Sequence, residues 1–281
     1  MPKIAEVYNA ALAKGKDAGV YSNDVRTLIA KDNGFKEPID TLFYRDSEMK
    51  NYPLFQEQFA RLLRGEPVEY IIEEASFLQF RLHVDRRVLI PRMETQELVS
   101  KISEQISKWY DPRNYLVCAD VGTGSGAIAI ALKSLFPNWL VTASDSSSDA
   151  LEVARGNIQK YNLGIHTLQG DALEPYIREK MNLDILVSNP PYILNPEETQ
   201  DSVKNFEPGS ALWLDKNNSV YEKIFRDVHL VKKGDLLMCF EIGYDLEDYL
   251  TELMRKYLTD YEYSFEKDLN GLTRFLFVNL H

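Results

Sequence analysis

Little in this sequence suits metal or redox chemistry. Two cysteines, Cys118 and Cys239, stand in 281 residues, each inside an apolar run that reads as a strand. Both are expected to be small core residues in a reducing setting, not a disulfide or a metal pair. Four scattered histidines add no ligand spacing, so no metal is expected. Apolar runs fall short of the ~20 residues that a membrane-spanning helix needs. The first residues show no signal-peptide core or cleavage pattern, so the expected place is cytoplasmic, with no membrane partner. Positive charge is scarce as well. Against 43 acidic side chains stand 32 Lys and Arg, a net charge of −11, and residues 1–70 hold 10 basic and 11 acidic groups. Nearly all the excess therefore sits on the larger remainder of the chain. That is a poor grip for duplex nucleic acid, where phosphate neutralisation supplies most of the affinity, and no stable nucleic-acid binding is expected. Internal repeats and low-complexity tracts are absent too.

What is present is an ordinary globular balance, 44% hydrophobic and 27% charged, at a length that suits two domains. Residues 1–64 read as about four helices. Ile4, Val7, Tyr8 and Leu12 recur at helical spacing, and Leu54, Phe55, Phe59, Leu62 and Leu63 form a second stripe that stops before Gly65. Residues 65–91 read as a connecting β-hairpin: Phe80, Leu82 and Val84 alternate with polar neighbours, Asp85-Arg86-Arg87 turns, and Val88-Leu89-Ile90 returns. From residue 92 to 281 helices and strands alternate, with strands expected at Tyr115–Asp120, Leu140–Asp145, His166–Gln169, Leu183–Ser188 and Asp235–Glu241. Alternation of this kind predicts an α/β domain, a mostly parallel sheet covered by helices on both faces. Asn270-Gly271 between the last two apolar runs predicts a hairpin, so the sheet should finish with an antiparallel strand.

Two strand ends carry the chemistry. Leu183–Ile193 reads LDILVSNPPYI: an apolar strand stops at Ser188-Asn189, and Pro190 and Pro191, lacking N–H and fixed in φ, take the backbone out of the sheet. Asn189 is thereby set at the carboxyl edge, where ligands of open α/β sheets bind, with an amide that both donates and accepts. On these residues alone, a stiff turn without chemistry is an equal reading. The first strand of the alternating region ends in Gly122-Thr123-Gly124-Ser125-Gly126 and runs straight into a helix. Such glycines let backbone approach a ligand at a helix N-terminus. The spacing fits neither the dinucleotide fingerprint nor a phosphate loop. Asp145, ending the next strand, is placed to accept hydrogen bonds from a ribose diol, and Asp171, with Ala172 behind it, repeats the arrangement one strand on. Tight packing is the structural alternative for the glycines.

The glycine loop with Asp145 resembles the cofactor loop of class I S-adenosylmethionine-dependent methyltransferases. Asn189-Pro190-Pro191-Tyr192 resembles the signature of those that methylate planar nitrogens, either adenine N6 in nucleic acids or glutamine N5 in proteins. Gly65-Glu66-Pro67, Ile90-Pro91-Arg92-Met93-Glu94-Thr95, Glu207-Pro208, Phe240-Glu241-Ile242-Gly243 and Asp268-Leu269-Asn270-Gly271 are similar to motifs of the PrmC/HemK family. The resemblance implies a seven-stranded, Rossmann-like methyltransferase domain with an antiparallel last strand, preceded by a helical substrate-recognition domain. It implies S-adenosylmethionine as cofactor, leaving S-adenosylhomocysteine, with the loop 122–126, Asp145, Asp171, Ala172 and Asn189 holding it. It further implies catalysis by Asn189, Pro190, Pro191 and Tyr192 on the Gly-Gly-Gln glutamine of class 1 peptide chain release factors. Adenine-N6 methylation of nucleic acid, or a noncatalytic module that binds the cofactor, are the alternatives. Met93, Gln96, Leu246 and the non-glycine stretch 213–220 depart from the family pattern.

Overall fold

The computed structural model describes residues 1–111 and 113–281 and divides the chain into two compact units. One comprises Met1–Glu74 with Thr199–Phe206; the other comprises Ala75–Glu198 with Glu207–His281.

The first unit holds α1 (Ile4–Gly15), α2 (Ser22–Asn33), α3 (Asp40–Phe43), α4 (Tyr52–Leu62) and α5 (Val68–Ile72). Ile4, Val7, Leu28, Ile29, Phe55, Phe59 and Leu62 close its core, and Val68 and Ile71 of α5 pack into it as well. That packing carries the helical unit to Glu74, ten residues past the division expected at 64. Asn51 caps α4 by accepting the Leu54 N–H at 3.2 Å, and Pro53 stands in its first turn, where a missing N–H costs nothing.

The second unit opens with β1 (Ala75–Phe77) and β2 (Phe80–Leu82), followed by α6 (Met93–Trp109). A hairpin is present, but its strands are not the expected ones. Ala75 pairs with Leu82 and Phe77 with Phe80, across a turn in which Leu78 takes a left-handed φ of 50°. The ladder ends at Leu82 because the next backbone groups find side chains. The His83 N–H donates to Asn157 Oδ1 at 2.7 Å, and the His83 carbonyl accepts from Asn157 Nδ2 at 2.9 Å. Residues 88–90 form no strand either; the Ile90 N–H goes to the Glu207 carboxylate at 3.2 Å.

Then follow β3 (Val117–Val121), α7 (Ala127–Leu135), β4 (Leu140–Asp145), α8 (Ser148–Lys160), β5 (Ile165–Gln169), α9 (Glu174–Arg178) and β6 (Leu183–Ser188). After α10 (Asp201–Phe206), which belongs to the first unit, come α11 (Val220–Asp227), β7 (Lys232–Glu241), α12 (Glu247–Tyr257), β8 (Tyr261–Lys267) and β9 (Thr273–Leu280). The sheet order is β5-β4-β3-β6-β7-β9-β8, parallel from β5 to β7, with β9 antiparallel to both of its neighbours. The expected α/β class and antiparallel final strand are thus observed.

Successive residues of a strand point to opposite faces, so central strands buried on both sides read as unbroken apolar runs. Ile185, Val187, Leu237 and Cys239 pack on one face with α6 and α7, while Leu186, Met238 and Phe240 pack on the other with α11 and α12. Each such side chain contributes about 1.5–3 kcal/mol when fully buried. Both cysteines are fully buried in the first of these cores.

Candidate active site

At the carboxyl ends of β3, β4 and β6 lies a cleft of about 150 Å³, open to solvent at its mouth. Gly122, Gly124, Asp145, Asn189, Pro190 and Pro191 are among its lining residues. The glycines are required by backbone conformation. Gly122, Gly124 and Gly126 have φ of 75°, 54° and 84°, in the left-handed region that other residues enter at a cost. Gly126 is also tight, since a Cβ there would stand 3.4 Å from that of Ala154. Asn157, 1% exposed, braces the loop from behind by donating Nδ2 to the Ser125 carbonyl at 2.9 Å.

Asp145 is tied to that loop directly. Its Oδ2 accepts the Gly124 N–H at 3.0 Å and its Oδ1 accepts the Ser147 N–H at 2.9 Å. Burial pushes its carboxyl up, and the backbone donors oppose the shift. Asp120, fully buried under the loop, accepts from the Thr123 hydroxyl at 2.6 Å and the Ala129 N–H at 3.1 Å on Oδ2, while Oδ1 has no partner. Burial lifts that carboxyl to about 7. These residues fit an adenosyl cofactor: backbone cleared of side chains, a helix N-terminus behind it, and a carboxylate at the neighbouring strand end.

Asn189 leaves β6 just after Ser188, whose hydroxyl anchors the strand end to the Val121 carbonyl at 2.6 Å. Its Nδ2 donates to Thr95 Oγ1 at 3.2 Å. Thr95, 5% exposed, donates in turn to Glu241 Oε2 at 2.7 Å. Glu241 ends β7 with no exposure, and its Oε1 accepts the Tyr192 hydroxyl at 3.0 Å. Burial pushes the Glu241 carboxyl up, while the donated hydrogen bonds and the nearby Arg274 pull it down. Tyr192 therefore faces inward, with its ring packed against the core that holds Phe240 and Tyr221, and it is not among the residues lining the cleft.

The fold thus brings Gly122, Thr123, Gly124, Ser125, Asp145, Asn189, Pro190 and Pro191 to one cleft, with Gly126 just behind it at the head of α7. Asp171 and Ala172 are not among the cleft's lining residues and border a neighbouring depression, where Asp171 is ion-paired with Lys223; the Gly170 N–H before them donates to the Asp145 carbonyl at 3.1 Å. Thr95 and Glu241 were read only as family motif residues. A single acid closing the otherwise apolar run Leu236–Phe240 was the available signal for Glu241. The departures from the family pattern fall into place locally. Leu246 is core, Met93 is 67% exposed, and Gln96 accepts the Leu78 N–H at 3.0 Å. The stretch after Ala211 pairs back on the site loop, with Ile193 and Leu212 joined at 3.0 Å and Leu214 and Ile193 at 2.9 Å.

A parallel sheet turned by one antiparallel strand, with a glycine-lined cleft at its strand ends, defines a class I methyltransferase domain. The family model described as Methyltransferase small domain matches residues 95–260. The hMettl16 catalytic domain, solved with an RNA hairpin, aligns with a TM-score of 0.51 at 16% identity, over 71% of this chain and 74% of that one. A T. thermophilus 16S rRNA methyltransferase in complex with AdoMet and guanosine aligns with a TM-score of 0.51 at 13% identity, over 74% of this chain and 50% of that one. Both share the fold. Among curated proteins, the release factor glutamine methyltransferase of Enterococcus faecalis is 38% identical over 76% of each chain. Those of Streptococcus pneumoniae and Bacillus subtilis are 34% and 33% identical, over 99% and 100% of this chain and 98% and 99% of theirs. The chain belongs to the release factor glutamine methyltransferase family.

Proposed function

We propose that this protein transfers a methyl group to the side-chain amide nitrogen (N5) of the glutamine in the Gly-Gly-Gln motif of class 1 release factors, using S-adenosylmethionine. The observation that carries the reading is an acceptor pair beside the glycine loop. Asn189 commits its Nδ2 to Thr95, which leaves its Oδ1 with no donor among the described residues. The Pro190 carbonyl likewise accepts no backbone hydrogen bond among them. When bound, S-adenosylmethionine supplies a methyl group on a sulfonium, a donor so reactive that the protein's work is chiefly orientation.

The backbone of Gly122–Gly126 and the head of α7 would hold that cofactor, with the Asp145 carboxylate accepting from its ribose. Asn189 Oδ1 and the Pro190 carbonyl each accept one N–H of the substrate amide. Held this way, the amide's hydrogens point at the two oxygens and its lone pair points out of their plane. The same oxygens stabilise positive charge growing on nitrogen as it reacts. Proline at 190 fixes its own φ, and proline at 191 holds the residue before it to an extended ψ, so the two together fix where the first carbonyl points. The surplus proton leaves to solvent, so the reading needs no histidine or carboxylate base. The helical unit is proposed to contact the release factor, and the acidic charge of the chain favours that protein partner over nucleic acid.

Radiolabelled donor offered with release factor, with release factor whose Gly-Gly-Gln glutamine is replaced, and with DNA tests the reading. Label is expected on the first alone. Label on DNA would replace it with adenine methylation, and label nowhere would replace it with a binding module. Asn189→Ala is expected to lower turnover by about 1,000-fold, as for loss of an oriented polar group at a reacting centre, with donor affinity in calorimetry nearly unchanged. Near-normal turnover in that variant would rule out the acceptor role.

A further inference from the structure

Asn189 can accept from a substrate amide only if its own amide is turned the right way, and the two orientations have nearly the same shape. In a bare turn both would be populated. Here a buried chain of hydrogen bonds chooses between them. Both oxygens of Glu241 accept, Oε1 from the Tyr192 hydroxyl at 3.0 Å and Oε2 from the Thr95 hydroxyl at 2.7 Å. A hydroxyl has one proton, so Thr95, having given its proton to Glu241, has only lone pairs left for Asn189. It can accept the Asn189 Nδ2 at 3.2 Å and cannot donate to Oδ1. The NH₂ group is thereby drawn to Thr95, and the oxygen is left for the substrate.

We infer that Thr95 and Glu241 are positioning residues for the methyl transfer: the carboxylate fixes the direction of the Thr95 hydroxyl, and the hydroxyl fixes the face that the Asn189 amide shows. This rests on the glutamine-methylation reading and deepens it. Three separate elements must meet for the chain to exist: α6 brings Thr95, the end of β7 brings Glu241, and the turn after β6 brings Asn189. Two of the three have anchors outside this chain of hydrogen bonds. The Tyr221 hydroxyl fastens the Glu241 carbonyl at 2.7 Å, and Ser188 fastens the end of β6. Thr95 is 5% exposed and Glu241 has no exposure, so water is shut out from the carboxylate and has little access to the hydroxyl. Arg274, whose guanidinium lies 5.8 Å from the Tyr192 ring centre, supplies positive charge beside the buried carboxylate.

The test uses the full chain with Thr95→Val, Thr95→Ser and Glu241→Gln. Valine keeps the shape and removes the hydroxyl; serine restores it. For Thr95→Val, kcat on release factor is expected to fall about 10- to 100-fold through lost orientation, with donor affinity and melting temperature close to the parent values. Thr95→Ser should recover kcat to within a few fold. Glu241→Gln, which can turn a donor toward Thr95 and reverse the chain, should lower kcat more than it changes donor affinity. Equal loss in the valine and serine variants, or full kcat in either Thr95→Val or Glu241→Gln, would overturn the inference. A readout independent of the substrate comes from the Asn189 side-chain amide signals in a ¹⁵N spectrum, assigned by their loss in Asn189→Ala. They should show contact with the Thr95 methyl group and faster exchange with water in Thr95→Val; unchanged exchange there would also overturn the inference. Should the wild-type protein place no label on release factor while that exchange still depends on Thr95, the substrate reading fails and the positioning chain stands.

Discussion

Asp120 shows what one side chain can impose from beneath a binding loop. It touches the cleft only through Thr123 and the first turn of α7, yet burial holds its proton up to about 7, against 3.8 for a free carboxyl. Folded protein thus binds a proton that unfolded protein has already released. The stabilisation from that proton is complete below 3.8 and is lost as the pH rises through about 7. Asp120→Asn should remove this dependence. In urea melts at stepped pH, the stability of the parent relative to the variant is expected to fall by at most on the order of 4 kcal/mol between about pH 4 and pH 7. A difference that stays flat across that interval would show that the buried carboxyl does not titrate there. The unpartnered Oδ1 of Asp120 lies under the glycine loop, so the same measurement with donor present would report whether binding resets the proton.

At the scale of elements, the loop between β3 and α7 is the stretch in which backbone geometry matters most. Gly126→Ala is expected to cost about 1–3 kcal/mol, because the left-handed φ is retained at a strain that alanine does not escape, and to weaken donor binding in calorimetry. Gly122→Ala carries the same kind of strain but meets nothing within 4 Å, so it should cost less than the change at 126. Equal losses at both positions would mean that the approach to Ala154 is harmless. This loop was legible in the sequence, since glycines directly between a strand and a helix have few other uses. The alternating strands and helices were legible too, because central strands buried on both faces read as apolar runs. The hairpin was displaced: period-two alternation continues through Val84, but the His83 backbone is taken by a side chain from α8, which no local pattern reveals. The Tyr192 hydroxyl reaches Glu241 across 49 residues of chain, and the place of Thr95 beside Asn189 depends on a contact 94 residues apart. Periodicity carries no record of such pairs. The ion pair of Arg92 with Glu207 was out of reach for the same reason.

Taken as a whole, the molecule keeps its reactive sulfur out of reach. Cys118 and Cys239 are both fully buried, and burial pushes both thiols up, away from the reactive thiolate. A thiol reagent at neutral pH is expected to modify neither in the native protein and both in denaturant, so labelling provides a count of globally unfolded molecules. Modification of one cysteine without loss of methyl transfer would contradict the packing described for the two strands. No helix among the described residues is long and apolar enough to cross a membrane. The net charge of −11 remains the broadest argument for a protein acceptor.

The position of β9 carries a consequence for synthesis. It follows β8 in the chain, yet it lies between β7 and β8, and its Phe275 is the register partner of Glu241. Without β9, the edge of β7 stays bare and β8 has nothing to pair with. The sheet cannot close before β9 is added, and a chain stopped ahead of Thr273 would leave the edge of β7 open to the next such chain. Vectorial production therefore gives this domain an all-or-nothing completion.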